Sequence, residues 1–508
     1  MYGGGNHLMG EMVPAEESTG IERVGVETFG GKVHVEWDPQ AAVTPMGQLP
    51  FFIEFLKISG LFEKFIGECP LVYESPNAPA VRDVLGTLVL SILAGHNRYA
   101  HISSIRFDGV NPGLLGMEKV VSEDAVRRAM KAIDEQAGVA WLDSQLRICT
   151  EAALSAGSWI LDTDTTVKCL YGKQEGAVVS YNPTKPGRPS HNYHSCFMAN
   201  TRLALTVEVN HGNQHTCNHV MPSLWSYYDS LTPEKRPAVI RGDIFLGNEG
   251  FLSEAESRNA RYLTKLRLTA NVKRLIEKLF LGADWVDAGH GFQGTEAELR
   301  LLGWTRERRV IVTRRKINDN IVMTDDSQLH FAFVEASEMM SRYEYAVLVT
   351  NLPYEVLTIA QLYRDRADVE NCFDELKNQW GWGGYTTHDL KRCRLASRMV
   401  ALVYNWWSLF VRLASGKHHE SITSRPLLLN GVARQTKHAG QTILTLTSHH
   451  AKSSAVRSVL QALNAFLNYL KINAEQLQIV DRMKLIIQRA FNFLPGCFNP
   501  SGLLPAPG

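Results

Sequence analysis

No stretch of this chain stays apolar for anything near the roughly 18 residues that a bilayer-crossing helix needs, so no membrane span is expected. Excess charge of one sign is missing too. Lys and Arg number 53 against 52 Asp and Glu, a net +1, which departs from the strongly basic balance common in nucleic-acid enzymes. Any hold on an anionic polymer must therefore come from local patches rather than from the total. The eight cysteines, at 69, 149, 169, 196, 217, 372, 393 and 497, show no framework spacing; they read as reduced thiols of a cytosolic protein. His191, His194 and Cys196, with His211, His215, Cys217 and His219, match no strong zinc spacing. The first 18 residues are Gly-rich and acidic, without the basic start and apolar core of a signal peptide, and read as a disordered extension.

What is present is a large, well-packed chain: 508 residues at 45% hydrophobic content, enough for two to four domains. Residues 363–377 are the most informative segment. At about 100° per residue, one continuous helix here puts Tyr363, Arg366, Glu370 and Lys377 within an arc of roughly 60°. Leu362, Val369, Phe373 and Leu376 form the adjoining apolar stripe, and Asp365, Asp368 and Glu375 form a solvated face. A carboxylate beside Arg, Lys and a tyrosine hydroxyl suits a metal ion and a phosphate held together. An amphipathic helix laced with ion pairs fits the same residues.

Two upstream segments favour the first alternative. Residues 159–161 read as a short buried strand running out into Asp162-Thr-Asp-Thr-Thr, and 237–243 as a strand ending at Arg241-Gly-Asp243. Acids at the carboxyl ends of strands gather at one rim of an α/β sheet, where ligands bind. Asp162 is the alternative to Asp164 as the first acid, and Asp374 the alternative to Glu370 as the third.

Tyr363-x2-Arg366-x3-Glu370-x6-Lys377 resembles the YREK signature of bacterial insertion-sequence DDE transposases, and Asp164-Thr-Thr and Arg241-Gly-Asp243 stand where that family has its first two acids. The runs starting at Leu161, Tyr171, Tyr181 and Arg241 look like the subgroup numbered 1380. The resemblance covers roughly residues 75 to 480. It implies an α/β fold with a ribonuclease H-like core interrupted by a β-rich insertion and flanked by helical regions. It also implies a cut-and-paste transposase that is cytoplasmic, bacterial and nucleoid-associated. Such an enzyme binds the terminal inverted repeats of its element, cleaves there and joins the 3′ ends to target DNA, working as a homodimer on paired ends. Asp164, Asp243 and Glu370 would hold two Mg²⁺ ions, with Mn²⁺ as a substitute, roughly 4 Å apart. Tyr363, Arg366 and Lys377 would bind phosphates. Trp304, with Trp285 second, would stack on a base flipped from the duplex.

The chain divides on this basis into a partly disordered extension (1–48), a helical DNA-end-binding domain (49–150), a first part of the core (155–282), a β-rich insertion (283–350), a second part of the core (351–412) and a mostly helical region that is the candidate for dimerisation (413–508). Within it, 51–94 has helical periodicity broken at Pro70, 120–131 is a capped basic helix, and 310–312, 330–334 and 345–349 read as strands. Helices return at 456–470 and 476–493. Trp380-Gly-Trp-Gly-Gly reads as a tight packing turn. Three basic patches, 258–278 (mostly helical), 304–316 and 391–398, look like a track for phosphates. Rival readings are a ribonuclease H-like nuclease without strand transfer, a transposase-derived DNA-binding protein without catalysis, and a hydrolase of small phosphate esters.

Overall fold

The computed structural model describes residues 23–38, 40–182, 185–199, 201–214, 217–317, 340–448, 452–473 and 477–491. The strand expected at 330–334 and the first 22 residues lie outside them. Helices fill 49–154: α1 (Leu49–Ser59), α2 (Leu61–Gly67), α3 (Val81–Leu93), α4 (Glu123–Ala132) and α5 (Glu135–Leu154). Local chemistry starts them. Ser122 caps α4 by accepting the Ala125 N–H at 3.3 Å, and Asp134 caps α5 by accepting that of Ala137 at 3.0 Å. α1 ends where Gly60 turns left-handed at φ 72°.

A ten-stranded sheet follows. Its strands are β1 (Ile160–Cys169), β2 (Pro189–Met198), β3 (Leu203–His211), β4 (Val239–Gly242), β5 (Tyr262–Lys265), β6 (Val286–Gly289), β7 (Phe292–Leu299), β8 (Arg308–Lys316) and β9 (Tyr343–Thr350), with a two-residue strand, Val178–Val179, beside β2. The order is β6-β7-β8-β9-β5-β4-β1-β2-β3. β1, β2 and β3 are antiparallel neighbours, whereas β4 and β5 run parallel to β1. The strands of 286–350 continue this same sheet, because β9 pairs antiparallel with β5.

β1 is longer than the apolar run 159–161 suggests. It stays paired with β2 through Cys169 because its polar residues satisfy one another: buried His194 lies 3.1 Å from both the Thr163 and the Thr165 hydroxyls.

Both sheet faces are covered. On one, Ile160, Val239, Leu263, Ile311 and Leu348 pack against Ile359 and Leu362 of α6 (Val356–Arg364). The chain then forms α7 (Ala367–Gln379) and α8 (Leu390–Ser415). Residues 395–413 of α8 are buried all round, as befits a helix at the centre of a core. Phe52 of α1 meets Trp407 and Phe410 with ring centroids at 5.3 Å, and Phe65 of α2 meets Trp141 at 4.9 Å and Trp406 at 5.4 Å. α9 (Ser453–Ile472) and α10 (Ile479–Ala490) join the same apolar cluster. The helices before and after the sheet therefore share one core around α8. A hairpin of Ala433–His438 and Gln441–Leu446, not anticipated from the sequence, precedes α9.

The turn after α7 is tight, with Trp380 and Trp382 fully buried. At Gly381 (φ 67°) a Cβ would come within 2.7 Å of the His96 carbonyl oxygen, so only glycine fits. Among the described residues no helix is long and apolar enough to cross a membrane.

Candidate active site

The site is built where β4 ends beside the middle of β1, which runs on paired with β2 alone. In the parallel register Asp162 lies opposite Arg241. Carried two residues on, that register sets Asp164 beside Asp243. The inner pair is buried: Arg241 Nε and Nη2 donate to Asp162 Oδ1 and Oδ2 at 2.5 and 2.6 Å. Asp162 is thus committed to Arg241. Asp164 is partly open, with Oδ1 accepting the Thr165 N–H at 2.7 Å and Oδ2 lying 2.7 Å from Arg366 Nη2. Asp243 is half-buried; its Oδ1 accepts the Phe245 N–H at 2.9 Å and its carbonyl accepts the Thr264 hydroxyl at 2.6 Å.

The expected single helix through Tyr363 and Lys377 is broken. α6 ends at Arg364 and α7 starts at Ala367. The cause is Arg241. Its Nη1 donates to the Leu362 carbonyl, the acceptor that Arg366 N–H would use in an unbroken α-helix. Arg366 N–H bonds Tyr363 O instead at 3.1 Å, and Asp368 and Val369 N–H bond three residues back at 3.3 and 3.0 Å, which tightens the chain into a 3₁₀-like turn. Tyr363 and Arg366 therefore approach from one side of the turn, and Glu370 and Lys377 from the other.

The four side chains still face the strand-end acids. Arg366 is buried at 7% exposure, between Asp164 and Glu370, whose Oε1 is 3.8 Å from Nη1. Its contact with Asp164 is ionic and off hydrogen-bond alignment, and its Nε has no acceptor among the described residues. Glu370 is 70% exposed at the side chain rather than at the edge of a buried stripe. Lys377 Nζ lies 3.1 Å from the Thr166 hydroxyl. Asp374 points to solvent and bonds Asn378.

Electrostatics mark Asp164 out. Burial pushes its carboxyl up to about 6; Arg366 pulls it back, and the Asp243 and Glu370 charges push it further. Burial also raises the Tyr363 hydroxyl to about 12, against the pull of Arg366 and with a further push from Asp243 and Asp164. Among the described residues no three acidic, histidine or cysteine side chains are grouped closely enough to ligate one ion. In donor chemistry the acids nonetheless fit a hard divalent cation: three carboxylates, one of them raised chiefly by burial and further by the charges of the other two.

The two candidate stacking tryptophans pack against arginines. Trp304 is 6% exposed, with the Arg308 guanidinium 5.0 Å above its ring. Arg308 is itself held by Glu249 and Glu256 at 2.6 and 2.8 Å, so Trp304 presents no free face for a base. Trp285 is half-buried with Arg314 stacked at 3.9 Å. The patches at 304–316 and 391–398 are largely neutralised, whereas in 258–278 Arg258 alone forms an ion pair among the described residues. Arg306, Arg308, Arg309 and Arg315 pair with glutamates; Arg392 pairs with Asp389, Arg394 with Glu135 and Arg398 with Asp143. Residues 258–278 are not mostly helical but run from a helix end through β5 into a second helix, Ala270–Gly282.

Two features went unread in the sequence. Glu375, expected on the solvated face, is 1% exposed; it accepts from Trp380 Nε1 at 3.2 Å and Ser421 N–H at 3.1 Å and lies 3.0 Å from His418 Nε2. Asp368 is gripped by both Arg202 Nε and Nη2 at 3.0 and 2.5 Å. The role of Arg241 did carry a signal: an arginine inside the apolar run Ala238-Val-Ile needs a buried partner, and Asp162 is the charge in the neighbouring strand.

Residues 77–467 match the family of the transposase DDE domain, group 1. The chain belongs to the DDE transposases. Its DDE domain thus takes in all of the sheet, α6, α7 and α8. No curated protein matches the chain. Among solved structures it is similar to a piggyBac transposase determined by cryo-EM in a synaptic complex with hairpin DNA, at 12% identity over 88% of this chain and 87% of that one, with a TM-score of 0.39. A likeness that loose fixes no residue roles.

Proposed function

We propose that this chain is a cut-and-paste DNA transposase of the YREK type, akin to the subgroup numbered 1380, that binds the terminal inverted repeats of its element, cleaves at the ends and joins the 3′ ends to target DNA. The order β3-β2-β1-β4-β5, antiparallel then parallel, supports a ribonuclease H-like core. The observation that carries the functional reading is the convergence of Asp164, Asp243 and Glu370 on one buried guanidinium.

Asp164, Asp243 and Glu370 would hold Mg²⁺, or Mn²⁺ in its place. Such ions, when bound, polarise the phosphodiester and activate an oxygen nucleophile. The chain's own residues position the strand. Arg366, fixed charged and with an Nε–H that has no acceptor among the described residues, offers forked donors to a phosphate. Tyr363, held protonated by its raised pKa, donates through its hydroxyl, and Lys377 adds a mobile point charge beside Thr166. Arg241 holds this arrangement from beneath by joining Asp162 to the Leu362 carbonyl. Two ends processed together imply two protomers, and residues 49–150 would bind the repeats.

The test is cleavage of labelled DNA carrying the element's end, with Mg²⁺ or Mn²⁺. Wild type should cut at the repeat boundary, while Asp164→Asn, Asp243→Asn and Glu370→Gln bind the end and lose cutting by at least about a hundredfold. Wild type that binds ends without cutting would make the chain a DNA-binding derivative, and normal cutting by Glu370→Gln would remove that residue from the triad.

A further inference from the structure

Five cations next to the candidate site differ from the arginines of 304–316 and 391–398. Lys168, Lys173, Lys185, Arg188 and Lys377 form no ion pair among the described residues, whereas arginines such as 308, 394 and 398 do. Lys377 and Lys168 lie along β1, and Lys185 and Arg188 gather at Tyr171 just past its end. Side chains two apart on a strand share a face, so Asp164, Thr166 and Lys168 form a row along β1, with Lys377 bonded to its middle member. Gly383, at φ 73°, leaves room for Lys168, whose Cδ would lie 3.2 Å from any Cβ there.

Past the end of β1 the row reaches Tyr171, 68% exposed. Lys185 Nζ and the Arg188 guanidinium lie 5.2 and 5.3 Å from its ring centre, and Lys185 Nζ also bonds its hydroxyl at 2.5 Å. This end is anchored. Leu170 N–H bonds Pro189 O at 2.8 Å, Asn182 Oδ1 accepts the Lys185 N–H at 3.0 Å, and Lys173 O accepts from His388 Nδ1 at 2.9 Å. Glu175, the acid in this stretch, turns to the start of α8 and accepts the Leu390 N–H at 3.1 Å.

We propose that Lys168, Tyr171, Lys173, Lys185 and Arg188 form a track that grips the phosphate backbone of the DNA strand running out of the catalytic site. The proposal rests on the transposase reading and adds a contact surface to it. At about 3.3 Å per residue, Lys168 stands about 13 Å from Asp164, and one strand of a duplex offers a phosphate about every 3.4 Å along its axis. The track therefore begins within about four nucleotides of the cut.

The experiment uses the full chain and a labelled duplex extending well beyond the element end on both sides. Binding is measured from 50 to 200 mM salt, and phosphate contacts are mapped by ethylation interference. In Lys185→Ala/Arg188→Ala the salt slope should become shallower by about 2, so that the wild-type advantage shrinks about tenfold across that range. Interference should vanish outward of the Lys168 contact and persist at the cut. Lys185→Arg/Arg188→Lys should restore both. If wild type cuts the end but Lys185→Ala/Arg188→Ala keeps its slope and footprint, the track is wrong and the transposase reading stands. If wild type neither binds nor cuts the end, both fall.

Discussion

Asp162 and Asp164 lie two residues apart on one strand and one face, yet the chain treats them oppositely. Asp162 is sealed from solvent and matched atom for atom by Arg241. Asp164 reaches the rim, faces one arginine and two further acids, and is left with its carboxyl raised to about 6. The same contrast separates the two rims of the sheet. Opposite the candidate site, Arg308 sits between Glu249 and Glu256 with its charge answered on both sides. Charge balanced within the fold serves stability. Charge left unbalanced at a rim fits a ligand the fold itself does not supply.

Breaking the inner pair should have the largest effect. Asp162→Ala strands a buried guanidinium and should destabilise by about 3–5 kcal/mol in denaturant unfolding. The double variant Asp162→Leu/Arg241→Met should recover most of that stability but not cleavage, because the Leu362 carbonyl returns to the helix and Arg366 loses its turn.

Asp164→Asn should do the reverse and stabilise. The folded-state pKa of Asp164 lies above the ordinary value near 3.9, so the native state binds the proton more tightly than the unfolded chain. Stability is then fully present below about pH 4 and falls as pH rises through about 6. Asn escapes that loss. The gain should reach at most about 3 kcal/mol at pH 8 and disappear at pH 4, read from unfolding midpoints across pH. Arg308→Ala, at the compensated rim, should cost about 2 kcal/mol because its glutamates keep partial access to water. Arg315→Ala, which breaks an exposed pair with Glu344, should change stability by under about 0.5 kcal/mol. A loss from Arg315→Ala equal to that from Arg308→Ala would erase the distinction between the two kinds of pair.

What the sequence made legible was local. Apolar runs ending in acids pointed to Asp164 and Asp243, although β1 runs on past Asp164 to Cys169; Ser122 announced a helix start, and the glycines around Trp382 announced a tight turn. What it hid depends on partners distant in the chain. Nothing within residues 363–377 says that Arg241 takes the Leu362 carbonyl and breaks the helix. Glu375 looks solvated on a helical wheel and is buried because Ser421 and His418 close over it. The patches at 304–316 and 391–398 looked like free cation tracks because their acids, Glu249, Glu256, Glu135 and Asp143, lie 50 to 260 residues away. The cations in the runs starting at Tyr171 and Tyr181 are spread too thinly along the sequence to read as a patch, yet among the described residues Lys173, Lys185 and Arg188 form no ion pair.

The central claim is that the Asp164 rim is built to receive a divalent cation whereas the Asp162 pair is closed to one. Titration of Mn²⁺ into the purified chain with its DNA end, followed by the loss of the free-ion electron paramagnetic resonance signal, tests this directly. The account predicts binding by wild type, loss of it in Asp164→Asn and Asp243→Asn, and retention in the folded Asp162→Leu/Arg241→Met variant. Equal binding by wild type and Asp164→Asn would contradict it.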